Sequence, residues 1–310
     1  MKRILAIILA LTVVFALAAC APQQAAPAEN GEDAEAHTVF LITMDMEDRH
    51  WVAVDDGASI MATRLGLDYR WNAPDTKDAA KQIEVFNNAV AAGADLIMLA
   101  ATNPTAIAEA VVNAQNAGVI VIYVDSPADP PVPATLLTNN LQAGVLAGQT
   151  MLDELAAAGI TSGKIGIIGV NTATVSTMNR ENGFRQVVEA SDFTILETEY
   201  KDGNAAASQE SAQGFIVGNE DLVGLFGTNE GSTAGVGNAI KASGREIIGV
   251  GFDKSDAILG LLEDGSLKAS MAQNPFTMGY LGVAQAYAAL NGLSIGPAVI
   301  DTGVAVLRKQ

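Results

Sequence analysis

Between Asp45 and Trp51 the chain reads Asp-Met-Glu-Asp-Arg-His-Trp, setting the carboxylate of Asp48, the imidazole of His50 and the indole of Trp51 side by side. Similar polar groups close other apolar runs: Thr102-Asn103, Asp125, Asn171-Thr172, Thr228-Asn229-Glu230, Asp253-Lys254 and Gln273-Asn274. Nearly all are short, planar hydrogen-bonding side chains. Carboxylates and amides bond pairs of vicinal hydroxyls, and an aromatic face receives the C–H side of a sugar ring. The chemistry is therefore recognition of a neutral, polyhydroxylated small molecule. Any one Asp or Asn at a strand end is equally often the N-cap of the next helix. Their recurrence at strand end after strand end is what argues for a site.

Other chemistries lack their residues. The chain has two histidines, His37 and His50, and one cysteine, Cys20, with no zinc-ligand spacing among them, so no metal and no cofactor is expected. Gly235-Val236-Gly237 has Ile240 where a dinucleotide fingerprint needs its third glycine, and neither a Gly-x-Ser-x-Gly elbow nor a phosphate loop occurs. A net charge of −18 repels phosphate backbones and argues against nucleic acid. The remaining enzymatic reading is a glycosidase with Asp125 and Asp253 as acid and nucleophile, a remote alternative. Binding without catalysis is the expectation.

The elements that must position these residues alternate regularly. Apolar runs stand at Val39–Met44, Leu67–Trp71, Leu96–Ala101, Val119–Val124, Ile165–Val170, Phe193–Leu196, Leu222–Phe226, Ile247–Phe252 and Leu267–Ala272. Most are continuous, as in strands buried on both faces of a parallel sheet. Segments of helical period lie between them; Ile83, Phe86 and Val90 share one helix face. Gly66, Gly93, Gly118 and Gly244 stand where helices should end, and Asn103-Pro104 offers a helix start. Repeated strand–helix units predict an α/β, doubly wound fold. With extended pieces near Thr135–Thr138 and Ala298–Leu307, two sheets of five or six strands suit the length.

The amino terminus carries an address. Met1-Lys2-Arg3 precedes an apolar stretch from Ile4 to Leu17 and then Ala18-Ala19-Cys20. That stretch is short of the ~20 residues a spanning helix needs. The segment resembles a lipoprotein signal peptide with its lipobox, which implies cleavage after residue 19 and acylation (palmitate among the chains) of Cys20. The protein is then exported and lipid-anchored on the outer face of the cytoplasmic membrane. Residues 21–36 lack large apolar groups and read as a flexible linker.

From residue 38 onward the chain resembles the sugar-binding proteins of bacterial ABC importers, in the ribose- and galactose-binding group with the type 1 periplasmic binding protein fold. The marks are Trp51 with Asp55-Asp56-Gly57-Ala58, Val119–Val124 ending in Asp125, Arg180-Glu181-Asn182-Gly183-Phe184, Thr228-Asn229-Glu230, Val250-Gly251-Phe252-Asp253 and Met271-Ala272-Gln273. The resemblance implies two Rossmann-like lobes joined by a three-strand hinge: 37–138 with 274–302, and 139–273 with 303–310. It makes Asp48, His50, Trp51, Asp125, Arg180, Asn229, Asp253 and Gln273 ligand contacts, and Asn103 joins them from its place after the third apolar run. His50 and Trp51 fall where the ribose pattern has paired phenylalanines, Asp48 where it has asparagine, and Ser126 where it has arginine. Capture of a pentose, hexose or related polyol by hinge closure, and delivery to permease and ATPase subunits by a monomer, are the implied activity. A furanone-type signal, cyclitol or nucleoside is the alternative ligand.

Overall fold

Continuous apolar runs become strands here because their alternate side chains enter two different cores. In β1 (Thr38–Ile42), Val39 and Leu41 face one side and Phe40 and Ile42 the other, and all four are buried. The computed structural model describes residues 36–309; the leader, Cys20 and nearly all of the linker lie outside the described residues.

After β1 the chain forms α1 (Arg49–Leu65), β2 (Asp68–Asn72), α2 (Ala79–Ala91), β3 (Leu96–Leu99), α3 (Ala108–Asn116), β4 (Ile120–Val124) and β5 (Thr135–Leu137). It continues through α4 (Asn140–Ala157), β6 (Gly163–Gly169), α5 (Val175–Val188), β7 (Phe193–Ile195), β8 (Glu199–Tyr200), α6 (Ala205–Gly218) and β9 (Leu222–Gly227). Then follow α7 (Glu230–Ser243), β10 (Ile248–Phe252), α8 (Asp256–Glu263), β11 (Ala269–Gln273), α9 (Pro275–Leu290), β12 (Val299–Asp301) and β13 (Val304–Leu307).

The strands make two sheets. One is six-stranded in the order β2-β1-β3-β4-β5-β12, parallel throughout. The other is seven-stranded: β7-β6-β9-β10-β11-β13, with β8 beside β6 and β13 antiparallel to β11. The extra strand is β8, only two residues long, which no apolar run announces. Chain order reverses between β1 and β3 in one sheet and between β6 and β9 in the other, the place where doubly wound sheets open a crevice for ligands.

Helices cover both faces of each sheet. Val54, Ala58 and Ala62 of α1 and Val283 and Ala286 of α9 pack one face of the first sheet, and Phe86 and Val111 pack the other. In the second sheet, Ala143, Met151 and Phe184 from α4 and α5 cover one face, and Ala212, Val236 and Leu261 cover the other. The helices α4 and α5 touch backbone to backbone. A Cβ on Gly144 would strike the carbonyl of Arg180, and one on Gly183 the carbonyl of Leu141. This close approach brings Arg180 inward.

Local signals explain most boundaries. Gly66, Gly93, Gly118 and Gly244 all have positive φ, at 67, 83, 92 and 64°, and turn the chain out of its helices. Side chains of Asp78, Asn139, Asn204, Asn229 and Ser255 cap α2, α4, α6, α7 and α8. At Asn103-Pro104 the expected start is drawn out: the Asn103 side-chain oxygen accepts the N–H groups of Thr105 and Ala106 as an N-cap does, its backbone carbonyl accepts the N–H of Ile107, and the regular helix runs from Ala108. The last helix starts at Pro275, since proline at the first turn needs no N–H partner.

The chain passes between the sheets after β5, after β11 and between β12 and β13. These crossings bond to one another. Asp301 accepts the N–H of Asn139 (3.1 Å) and of Gly303 (2.9 Å), and the Asn274 side-chain amide donates to the Thr302 carbonyl at 2.6 Å.

Candidate functional site

Asp125 follows β4 in the first sheet and Asp253 follows β10 in the second, at equivalent positions. Each holds a left-handed backbone, φ 58° and 73°. Only Asp202 shares this among the described non-glycine residues. Aspartate tolerates that region better than most residues, and such conformations cluster at working sites. Both carboxylates are buried, 3% and 5% exposed. Between them stands the His50 imidazole from the first turn of α1, with Nε2 3.1 Å from Asp125 Oδ2 and Nδ1 3.6 Å from Asp253 Oδ1.

Both ring nitrogens face carboxylates, a setting that favours the imidazolium, although Nε2 makes no aligned hydrogen bond to Asp125 and Nδ1 stands too far from Asp253 for one. Burial works against that charge, but the two carboxylates close by, Asp125 and Asp253, outweigh it, and the His50 pKa is pushed up to about 10. Burial likewise opposes the Asp253 carboxylate, yet His50, Arg180 and the Gln273 amide (2.6 Å) hold it down at about 2. Arg180, 2% exposed, lies over the Phe252 ring and is fixed by Asn140 (2.8 Å) and the Thr228 carbonyl (3.0 Å), with NH2 3.9 Å from Asp125. Two cations thus balance two carboxylates at the centre. The neighbour Glu181 pairs with Arg185, not Arg180.

Asp48, His50, Trp51, Asp125, Arg180, Asn229, Asp253 and Gln273 line one cavity between the two sheets. Trp51 belongs to the first core as well and meets His50 edge-on, ring centres 4.7 Å apart. Its indole N–H and the Gln273 side-chain oxygen are buried without a protein partner. Buried polar groups are costly when unpaired, so a donor and an acceptor in the cavity wall suit a hydroxyl-bearing ligand.

Asn103 stands apart. Its side-chain oxygen is spent on the turn before α3, and it does not line the cavity. The wall also holds residues that sequence reasoning passed over: Met44, Lys77, Val170, Thr174, Ser176 and Thr177. Lys77 bridges Asp45 at 2.6 Å and Asp48 at 3.0 Å. Burial opposes its charge, but the two carboxylates keep its pKa raised. Reading the loop after β2 as closely as the other strand ends would have found it. The small hydroxyl residues at the start of α5 carry no such signal. Thr174 donates to the Thr102 carbonyl at 2.9 Å, and Ser126 meets Ser176 at 3.1 Å, both across the cleft. Among the described residues no group of His, Cys, Asp and Glu is arranged to hold a metal ion.

A family model described as a periplasmic binding protein domain matches residues 39–294. The chain is 26% identical over 300 residues to the ribose import binding protein of Bacillus subtilis, covering 95% of each. It is 26% identical over 257 residues to that of Haemophilus influenzae, covering 82% of this chain and 86% of the relative. Among solved structures it is similar to an Agrobacterium vitis ABC transporter solute-binding protein with bound D-fucose: 29% identity, TM-score 0.84, 88% of this chain and 96% of that one. A carbohydrate transporter solute-binding protein from Agrobacterium radiobacter, in complex with D-arabinose, has 28% identity and TM-score 0.85, with 89% and 95% coverage.

Proposed function

The chain belongs to the periplasmic binding protein family, and on that premise we propose that it captures a neutral monosaccharide outside the cytoplasmic membrane and delivers it to the permease of an ABC importer. The observation that carries this reading is the pair Asp125 and Asp253, one from each lobe, facing a single cavity with Trp51, Arg180 and Gln273. Paired carboxylates accept hydroxyl hydrogens, the guanidinium donates, and the indole offers a stacking face. The balance of His50 and Arg180 against Asp125 and Asp253 favours an uncharged ligand over a phosphorylated or carboxylated one. The names of relatives for ribose, and bound arabinose and fucose in similar structures, support a pentose or hexose. Cys20 carries the lipid anchor in this reading, and the ligand leaves unaltered.

Contact with both lobes is what makes binding close the cleft, because a ligand shifts an equilibrium only by its differential affinity for the two states. A thermal-shift screen over pentoses, hexoses, polyols, inositols and nucleosides tests the ligand class, since a bound ligand raises apparent stability by mass action. We expect the largest rise with a pentose or hexose. Asp125→Ala and Asp253→Ala each remove charge-assisted hydrogen bonds of about 1.5–3 kcal/mol, so calorimetry should find sugar affinity lowered roughly 10- to 100-fold. Affinity within twofold of wild type in both variants would refute the assignment.

A further inference from the structure

We propose that Glu230 latches the two lobes together, its carboxylate capping the amino end of α1 from across the cleft. The helix α1 spans Arg49–Leu65 and opens after Asp48, a residue type that ordinarily caps its own helix, yet here Asp48 makes no side-chain cap. Its carboxylate is turned instead to Lys77 (3.0 Å) and to the Asn229 amide (3.4 Å). The orphaned N–H of His50 donates to Glu230 Oε2 at 3.0 Å, and the N–H of Arg49 reaches the same carboxylate. Glu230 is the first residue of α7 on the second lobe, so the amino ends of α1 and α7 converge on one negative charge, which both helix dipoles favour. A cap supplied by the opposite lobe exists only while the cleft is closed. Glu230 is thus a positioning residue for capture, and it lies outside the cavity that Trp51 and Asp125 line. The latch rests on the capture reading above only for its link to sugar affinity.

The groups facing Glu230 set its response to pH. Asp48 and Asp253 oppose its charge, while Asp45, Glu47, Lys77 and Asp202 line the groove it borders. Burial first, then Asp253 and Asp48, push its carboxyl from 4.5 up to about 7, against the pull of the Arg49 and His50 amides. A group whose pKa rises on closure takes up protons as the lobes meet. Closure is then favoured as pH falls from about 7 toward 4.5, and a neutral acceptor at this position should latch as well as the native residue.

Glu230→Gln keeps an oxygen for the two amides and removes the charge; Glu230→Ala removes both. Amide hydrogen exchange, measured on the free protein and again with the sugar bound, reads the latch as the cleft closes. Arg49 and His50 should be protected in wild type and in Glu230→Gln, and should exchange faster in Glu230→Ala. Isothermal calorimetry with the sugar from the screen should find Glu230→Ala roughly 5- to 10-fold weaker, the scale of a lost cap. Glu230→Gln should bind within twofold of wild type or tighter at pH 8 and lose the wild-type gain in affinity between pH 7.5 and 5. Equal exchange in all three proteins, a Gln variant as weak as the Ala variant, or an unchanged pH slope in Glu230→Gln would overturn the latch. If wild type binds no sugar, the capture reading fails, while the exchange comparison still decides the latch.

Discussion

His50 is the residue on which the electrostatics of the cleft turn. Both of its nitrogens face carboxylates, and Asp125, Asp253 and Arg180 alone would leave a buried negative excess. A buried charge left without its partner is strongly destabilising. Its raised pKa gives the sign of a pH effect. The contribution of His50 to stability is complete below about 6.5 and is lost as pH climbs toward 10. The difference in thermal midpoint between wild type and His50→Gln should therefore be widest near pH 6 and should narrow by about pH 9.5. A gap constant over that range would mean that His50 is neutral in the folded protein. His50 and Trp51 were legible as a polar–aromatic pair because strand ends in doubly wound folds face ligands. That the imidazole would lie between aspartates some 75 and 200 residues further along was not legible, because no local pattern encodes which loops meet.

Among elements, the α4–α5 contact matters most for the site. Gly144 and Gly183 let the two backbones meet, and Arg180, one turn before Gly183, is held at the cleft by Asn140 at the start of α4. Gly183→Ala places a methyl group against the Leu141 carbonyl and forces the helices apart. Overpacking of this kind costs about 1–3 kcal/mol. Chemical denaturation should register that loss, and sugar affinity should fall with it as Arg180 shifts. Retention of both would mean that the helices slide without disturbing the guanidinium. The strands were the most legible elements, since each buried run lies between a turn signal and a helix cap. The exact start of α3 was less so: Asn103 caps the N–H groups of Thr105 and Ala106 as its type and place suggest, yet the regular helix sets in only at Ala108.

On the scale of the molecule, the chain joins the two lobes by its passages after β5, after β11 and between β12 and β13. Asp301 and Asn274 tie those crossings to one another. Polar pairs in the cleft also join the lobes, among them Thr174 to Thr102 and His50 to Glu230. Such contacts form and break with closure at small cost, as an apolar interface could not. The proposed lipid anchor at Cys20 is tested at this scale too. Cys20→Ala should abolish incorporation of labelled palmitate and move the protein from the membrane fraction to the soluble exported fraction. Unchanged membrane association would remove the lipoprotein reading.

Composition and order along the chain were enough to set out the alternation of strand and helix and the polar set at the strand ends. These follow from local rules, in which each residue answers to neighbours a few positions away. The left-handed turns at Asp125 and Asp253, the imidazolium between them, the role of Lys77 and the cap lent by Glu230 to α1 required the fold. Each depends on groups distant in sequence sharing one desolvated space, where charge balance and hydrogen-bond satisfaction are settled jointly.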